Sequence, residues 1–174
     1  AREAGISESK WVYLHGHAKA KDKLVSKRQD LSRSKPIDLV LKRALESSGI
    51  AAADVDHFDI YSCFPSVVLL AAEALGVNWR ETVLTVTGGL PFFGGPGNSY
   101  SLHAIATMAE TLREKPGEYG LILANGGYMS KEAAGVYSTR PPEHWTPVFS
   151  DDLQSEIDAE PEMARLTETM EGEV

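Results

Sequence analysis

Short apolar segments with strand character alternate with helical patterns along most of this chain, and this alternation most constrains its fold. Strands are expected at 11–15, 55–61, 83–86, 120–124 and 135–138, and helices at 34–48, 65–75 and 101–114. Alternation at this spacing is typical of βαβ units and predicts an α/β fold, a mixed sheet covered by helices. Right-handed crossovers would bring the loops that follow the strands to one edge, where α/β proteins usually carry their chemistry.

The first helix has the clearest local signals. Ser34 stands before it, Pro36 occupies a first-turn position where proline is tolerated, and Gly49 ends it. Its apolar residues recur every three or four positions and predict one buried stripe, formed by Ile37, Val40, Leu41, Ala44 and Leu45.

Two segments lack such patterns. Residues 18–33 are rich in Lys, Arg, Asp and Ser and are expected to form a long exposed loop. After residue 140 the composition becomes acidic, with a short helix expected over 151–159, capped by Ser150. We therefore divide the chain into a domain at 1–140 and an acidic tail, or the start of a missing segment, at 141–174.

Composition excludes several classes of protein. The 174 residues are 43% hydrophobic, enough for a packed core, and carry 17 Lys and Arg against 25 Asp and Glu, a formal charge of -8. This balance argues against nucleic-acid binding, which depends on clustered cations. No apolar run approaches the roughly 20 residues of a membrane span, and the N-terminus does not resemble a secretory signal. A cytoplasmic location is therefore expected.

The single cysteine, Cys63, lies just after a predicted strand and just before a predicted helix. The positive end of the helix dipole would favour its thiolate, which predicts a reactive thiol. The alternative is a small buried apolar residue, the commonest state of a lone cysteine.

A glycine-rich loop over 87–98 leads into the helix that carries His103. Its backbone amides could approach an anion or a thioester oxygen, although no P-loop spacing is present. His103 is either a packing residue or a donor. His15 and His17 have a spacing compatible with a metal, but no third ligand is evident, so no metal site is predicted.

A second glycine turn, Asn125-Gly126-Gly127-Tyr128, follows an apolar strand. A glycine amide at this position could donate to an oxyanion if the turn directs it inward. The alternative is a turn that only needs a positive φ angle.

Taken in order over 10–140, these segments resemble the C-terminal half of the thiolase superfamily. Tyr61-Ser62-Cys63-Phe64 is similar to the His-Asp-Cys-Phe motif of sterol-carrier-protein-type thiolases, whose cysteine is thought to be an acid/base. Leu123-Ala124-Asn125-Gly126-Gly127 resembles the Cys-X-Gly-Gly motif, with Ala124 in place of cysteine. The closest resemblance is to a thiolase-like group often labelled acetyl-CoA acetyltransferase.

The resemblance implies a substrate and a set of site residues. The substrate would be a coenzyme A thioester, with no separate cofactor. Cys63 would move a proton, Gly126 would supply an oxyanion amide, and Gly89 and Tyr61 would contact substrate. The loop histidine of the family aligns with Gly95, so His103 is only a substitute donor.

Two functional hypotheses follow from the resemblance. In the first, the parent protein is an acyl-CoA acyltransferase with Claisen or retro-Claisen chemistry, or a retro-aldolase subunit, and this chain alone is inactive because the family's nucleophile lies in the N-terminal half. In the second, the fold binds acyl-CoA or a protein without catalysis. Both imply an apolar surface that pairs with an N-terminal thiolase half or with a second copy.

Overall fold

The computed structural model describes residues 1–145, 147–148 and 150–163, and within that part it contains four strands and five α-helices. The strands are β1 (Tyr13–Lys21), β2 (His57–Ile60), β3 (Tyr119–Gly126) and β4 (Lys131–Ser138). The helices are α1 (Lys35–Ser48), α2 (Pro65–Leu75), α3 (Leu90–Phe93), α4 (Tyr100–Glu114) and α5 (Ser150–Asp158). The predicted α/β class is confirmed.

The strands form one mixed sheet in the order β1-β4-β3-β2. Strand β2 is parallel to β3, and β4 is antiparallel to both of its neighbours, β1 and β3. The ends of β1, β2 and β3 and the beginning of β4 therefore meet at one edge of the sheet. We call this edge, with the loop after β2 and the turn after β3, the site edge.

Helices cover both faces of the sheet. The larger core lies on the face of α1, α2 and α5 and includes Ile37, Leu41, Leu121, Leu123 and Val136. The smaller core lies under α4 and consists of Tyr100, Ala104, Met108, Leu112 and Ile122. None of the helices in the described ranges has the length and apolarity to cross a membrane.

The sequence signals of α1 are confirmed. The Ser34 hydroxyl oxygen accepts a hydrogen bond from the Ile37 amide at 3.5 Å and caps the first turn. Gly49 ends the helix in the left-handed conformation with φ +69°.

The strand expected at 83–86 is wrong as a regular strand. The Ile60 amide does donate to the Leu84 carbonyl oxygen at 3.0 Å. The next backbone amides turn instead to the buried Asp59 carboxylate, which accepts from Val86 N at 3.0 Å and Thr87 N at 3.1 Å. A side-chain acceptor has replaced the continuing strand ladder.

The exposed loop expected at 18–33 is wrong for its first four residues and for the buried Arg28, whereas most of the residues from 22 to 33 are exposed and lie outside the regular strands and α-helices. Strand β1 runs to Lys21 and buries Ala18 and Ala20, while the intervening lysines point to the open face. The charged residues concealed this alternation because they occupy only one of the two faces. Further on, Arg28 is buried and forms an ion pair with Asp22 at 3.0 Å.

The C-terminal segment packs on the sheet through α5. Its Leu153 and Ile157 are buried in the larger core, against β1 and α1. Residues 164–174 of the expected tail lie outside the described residues. The division after residue 140 stays a prediction.

Candidate functional site

A cavity of about 600 Å³ opens at the site edge. Its wall combines the loop after β2, the end of β3 and the segment that leads into α4, and includes Tyr61, Asn98, Ser101, Ala124, Asn125 and Gly126. Strands β1 and β4 complete it with Lys19, Lys21 and Lys131. The cavity thus contains Tyr61 and Gly126 from the predicted site, but not Cys63, His103 or Gly89.

Tyr61 is fixed by its backbone and by its ring. Its amide donates to the Leu123 carbonyl oxygen at 3.0 Å, which continues the pairing of β2 with β3. Its ring packs against the buried Tyr100 ring, with 4.9 Å between centroids. Tyr100 in turn donates its hydroxyl to Asp59 at 3.0 Å. The wall at Tyr61 is therefore built on a buried aromatic support.

Cys63 does not line the cavity, but its thiol is hydrogen-bonded to a residue that does. Its side chain is half-buried against the larger core, and its Sγ accepts from Asn125 Nδ2 at 3.2 Å. Asn125 itself lines the cavity. The two motifs that carry the resemblance are therefore in direct contact, as a shared site requires.

The prediction that the Cys63 thiol favours its ionised form is wrong. Burial raises the pKa of the thiol above its ordinary value, although a backbone hydrogen bond at Phe64 and the Asn125 amide act in the opposite direction. The Glu132 carboxyl raises this pKa further. Desolvation, the largest of these influences, therefore opposes the helix-dipole effect on which the expectation depended and favours the protonated thiol.

Gly126 is the last residue of β3 and lines the cavity. The tight turn that follows it is held in place by hydrogen bonds from a buried arginine. Gly127 has φ +64°, and the buried Arg28 donates to the carbonyl oxygens of Tyr128 at 3.0 Å and Met129 at 3.2 Å. The role of Gly126 as an oxyanion donor stays a prediction. Sequence reasoning missed Arg28 because it placed residue 28 in an exposed loop.

Gly89 lies next to the motif loop rather than in the cavity wall. It has φ +74°, and a Cβ atom there would come within 2.9 Å of the Ser62 hydroxyl oxygen. That same oxygen accepts from the Leu90 amide at 3.0 Å. Glycine is needed here so that the glycine-rich loop can approach the Tyr61–Phe64 loop closely.

The histidines lie away from the cavity. His103 is exposed on α4, with its ring 5.1 Å from that of Phe93. His15 bonds to the Arg140 carbonyl oxygen at 2.7 Å, and His17 stacks on Trp145. Among the described residues, no three His, Cys, Asp or Glu side chains cluster closely enough to hold a metal ion.

Glu132 is the feature that the sequence reasoning missed most completely. It is 2% exposed, and neither carboxylate oxygen has a hydrogen-bond partner among the residues that the structure describes. Burial raises its pKa to about 8, with Arg28 lowering it and Asp22 raising it. The signal was available, because Glu132 shares its face of β4 with Ala134 and Val136, both buried.

Comparisons with known proteins were made over the whole chain, and no family model matches it. Acetyl-CoA acetyltransferase 1 of Arabidopsis thaliana is 30% identical over 90 residues, which are 51% of this chain and 21% of that protein. A probable acetyl-CoA acetyltransferase of Dictyostelium discoideum is 32% identical over 90 residues, with the same shares. The chain thus spans about a fifth of the length of these curated relatives.

A solved structure matches more of the chain. A monomeric SCP2-thiolase-like protein type 1 from Mycobacterium smegmatis is 45% identical, with a TM-score of 0.89. The match covers 94% of this chain and 37% of that protein. With the motif loops meeting at one cavity, these similarities support an assignment to the thiolase superfamily, with an SCP2-thiolase-like fold.

Proposed function

We propose that this chain forms part of the site of an acyl-CoA acyltransferase that makes or breaks a carbon–carbon bond next to a thioester. The observation that carries the proposal is the contact between the two motif loops. Cys63 of the first loop accepts from Asn125 of the second, and Tyr61 and Gly126 line one cavity beside them. The acetyltransferase names of the relatives support the same substrate class.

The chemistry needs a proton carrier and an oxyanion donor. Breaking the bond leaves an enolate that must be stabilised by hydrogen bonds and then protonated at carbon. In this proposal the Gly126 amide and the Tyr61 hydroxyl stabilise the oxygen. Cys63, whose burial favours the protonated thiol, supplies the proton after the Asn125 side chain moves aside, because its Sγ lies behind that residue. His103 is the more remote candidate donor.

A second candidate is a binding module without catalysis. It is favoured by Ala124, which lies in the cavity wall where the family motif has cysteine. A retro-aldol reaction also fits this residue, since it needs no acyl-enzyme. Loss of turnover on Cys63→Ala in a longer protein that includes an N-terminal thiolase half would support the enzyme, while unchanged turnover would contradict it.

Two further parts of the proposal concern the location of the protein in the cell and its assembly. We propose a cytoplasmic protein whose thiolase half pairs with an N-terminal half, or with a second copy, through its exposed apolar residues. The chain alone is then inactive, since the family's nucleophile is contributed by the other half. The similar mycobacterial protein is described as monomeric, which favours pairing of two halves over pairing of two copies.

The direct test is alkylation of Cys63 by iodoacetamide between pH 5 and 9, with and without acetyl-CoA. We expect slow modification at neutral pH and further slowing by acetyl-CoA, because a thioester seated against Asn125 would close the route to the sulfur. Adenosine diphosphate is the control for binding through phosphate alone. Equal rates with and without acetyl-CoA, in the chain and in a longer protein with both halves, would contradict the proposal.

A further inference from the structure

Within the described part of the chain, three buried polar atoms on two cavity-lining residues have no hydrogen-bond partner. They are Asn125 Oδ1 and both carboxylate oxygens of Glu132. The two residues lie directly opposite each other in the β3–β4 pair. Side chains of such a pair point to the same face, with Cβ atoms about 4.5–5.5 Å apart. The two side chains are therefore neighbours on the sheet.

The orientation of the Asn125 amide is set by Cys63. Because Nδ2 donates to Sγ at 3.2 Å, Oδ1 must point elsewhere and needs a donor of its own. A buried acceptor that is left without a donor destabilises the folded protein. On the neighbouring strand, the Glu132 carboxyl also has no hydrogen-bond partner among the described residues.

The charged groups around Glu132 do not relieve this deficit. Arg28 and Asp22, from the loop after β1, are paired with each other at 3.0 Å. The other nitrogens of Arg28 donate to the carbonyl oxygens of Tyr128 and Met129. Among the described residues, Cys63 is a further titratable group near Glu132, and β1 places Ala20 opposite it. An ionised Glu132 would be a buried anion without a hydrogen bond.

We propose that Glu132 is a positioning residue that stays protonated, donates to Asn125 Oδ1, and so holds the Asn125 amide with its nitrogen on the Cys63 sulfur. In the hydrogen-bonded series Glu132–Asn125–Cys63, each polar atom that faces the next residue then has a hydrogen-bond partner. Only the catalytic consequence depends on the proposed function.

In this arrangement Glu132 affects the ionisation of the Cys63 thiol without contacting it. Loss of its proton removes the donor that fixes the asparagine and places a negative charge near the sulfur. Both changes disfavour the thiolate. The proton on Glu132 thus sets how readily Cys63 ionises, and the relation is reciprocal, since a thiolate would hold the proton on Glu132.

The test is the pH profile of Cys63 alkylation in the full chain and its Glu132→Gln variant, without any acyl-CoA. Glutamine keeps a donor for Asn125 Oδ1 and removes the charge. At pH 9 we expect alkylation of the variant to be roughly threefold to tenfold faster, which corresponds to a thiol pKa lower by about half a unit to one unit. The matched control is Asp38→Asn, another carboxyl whose burial raises its pKa and which should leave the profile unchanged.

A measurement on the native Glu132 protects the test against a variant that fails to fold. Infrared spectra of the Asp38→Asn chain should show a protonated carboxyl band at pH 7 that disappears as the pH rises toward 10. Absence of this band at pH 7, or identical alkylation profiles for the native chain and its Glu132→Gln variant, would overturn the proposal. Neither readout involves acetyl-CoA, so a failure of acyl-CoA binding would leave the inference standing.

Discussion

Glu132 makes the stability of this protein depend on pH. A carboxyl whose folded-state pKa lies near 8, against an ordinary 4.5, binds its proton more tightly in the folded protein than in the unfolded chain. Its contribution is complete below pH 4.5 and is lost as the pH rises through 8. The cause is burial without a hydrogen-bond donor, so the effect belongs to this one residue.

We therefore expect the free energy of unfolding to fall between about pH 5 and pH 8.5, and Glu132→Gln to remove most of that fall. The shift sets an upper limit of roughly 3 to 5 kcal/mol, and urea unfolding at several pH values measures it. A wild-type stability that rises over this interval while the variant stays level would contradict the assignment.

For individual residues, the sequence predicted their place in the fold better than their protonation state. Cys63 was placed correctly between a strand and a helix, but its thiol pKa is raised because its surroundings come from segments far away in sequence. Asn125 lies 62 positions from it and Glu132 lies on another strand. Desolvation of this kind depends on tertiary packing, which no local pattern contains.

Among the elements, β1 and α1 pack closely, and Gly16 makes this contact possible. A Cβ atom at this position would collide with the backbone oxygen of Ala44, and would lie 2.6 Å from both the Ser47 hydroxyl and the Ser48 amide nitrogen. These are mainly helix backbone atoms, which cannot move aside without moving α1. The glycine thus sets how closely the first strand and first helix pack.

Gly16→Ala should lower the free energy of unfolding by about 3 kcal/mol or more, measured as a lower urea midpoint at unchanged slope. Gly120→Ala is the matched control, since the atoms nearest to its added Cβ belong to the Met108 side chain and not to helix backbone. We expect that variant to lose about 1 kcal/mol. Equal losses in the two variants would show that helix backbone rigidity is not the cause.

Elements were predictable where one face is apolar and the ends carry glycine, proline or a cap. This holds for α1, α2 and α4, whose observed bounds lie within a few residues of those expected. It fails for the segment at 83–86, whose amides bond to Asp59, and for β1, whose lysines disguise a buried face. Both failures reflect partners that sequence periodicity does not report.

At the scale of the whole molecule, large apolar side chains remain uncovered around α3 and α4. Phe92 is 87% exposed and Leu102 68% exposed. Apolar surface of this kind usually marks an interface. It lies beside the loop that leads into the cavity, where a second thiolase half would complete the site under the proposed function.

We expect the chain to associate with an N-terminal thiolase half, or with itself, at micromolar concentration, and Phe92→Ser to weaken that association at least severalfold. Light scattering measures the mass directly. Leu31→Ser is the control, because Leu31 is also exposed but lies on the loop before α1. A monomer that remains unpaired in the presence of the N-terminal half would contradict this prediction.

The lysines of the cavity have a consequence for the protein without ligand. Lys21 and Lys131 lie directly opposite each other on β1 and β4, and no carboxylate among the described residues pairs with either. Opposed like charges destabilise a sheet, so the unliganded protein contains a repulsion that any bound anion would relieve. Added salt would therefore have two opposite effects, stabilising the unliganded fold through screening while weakening its hold on a negatively charged ligand.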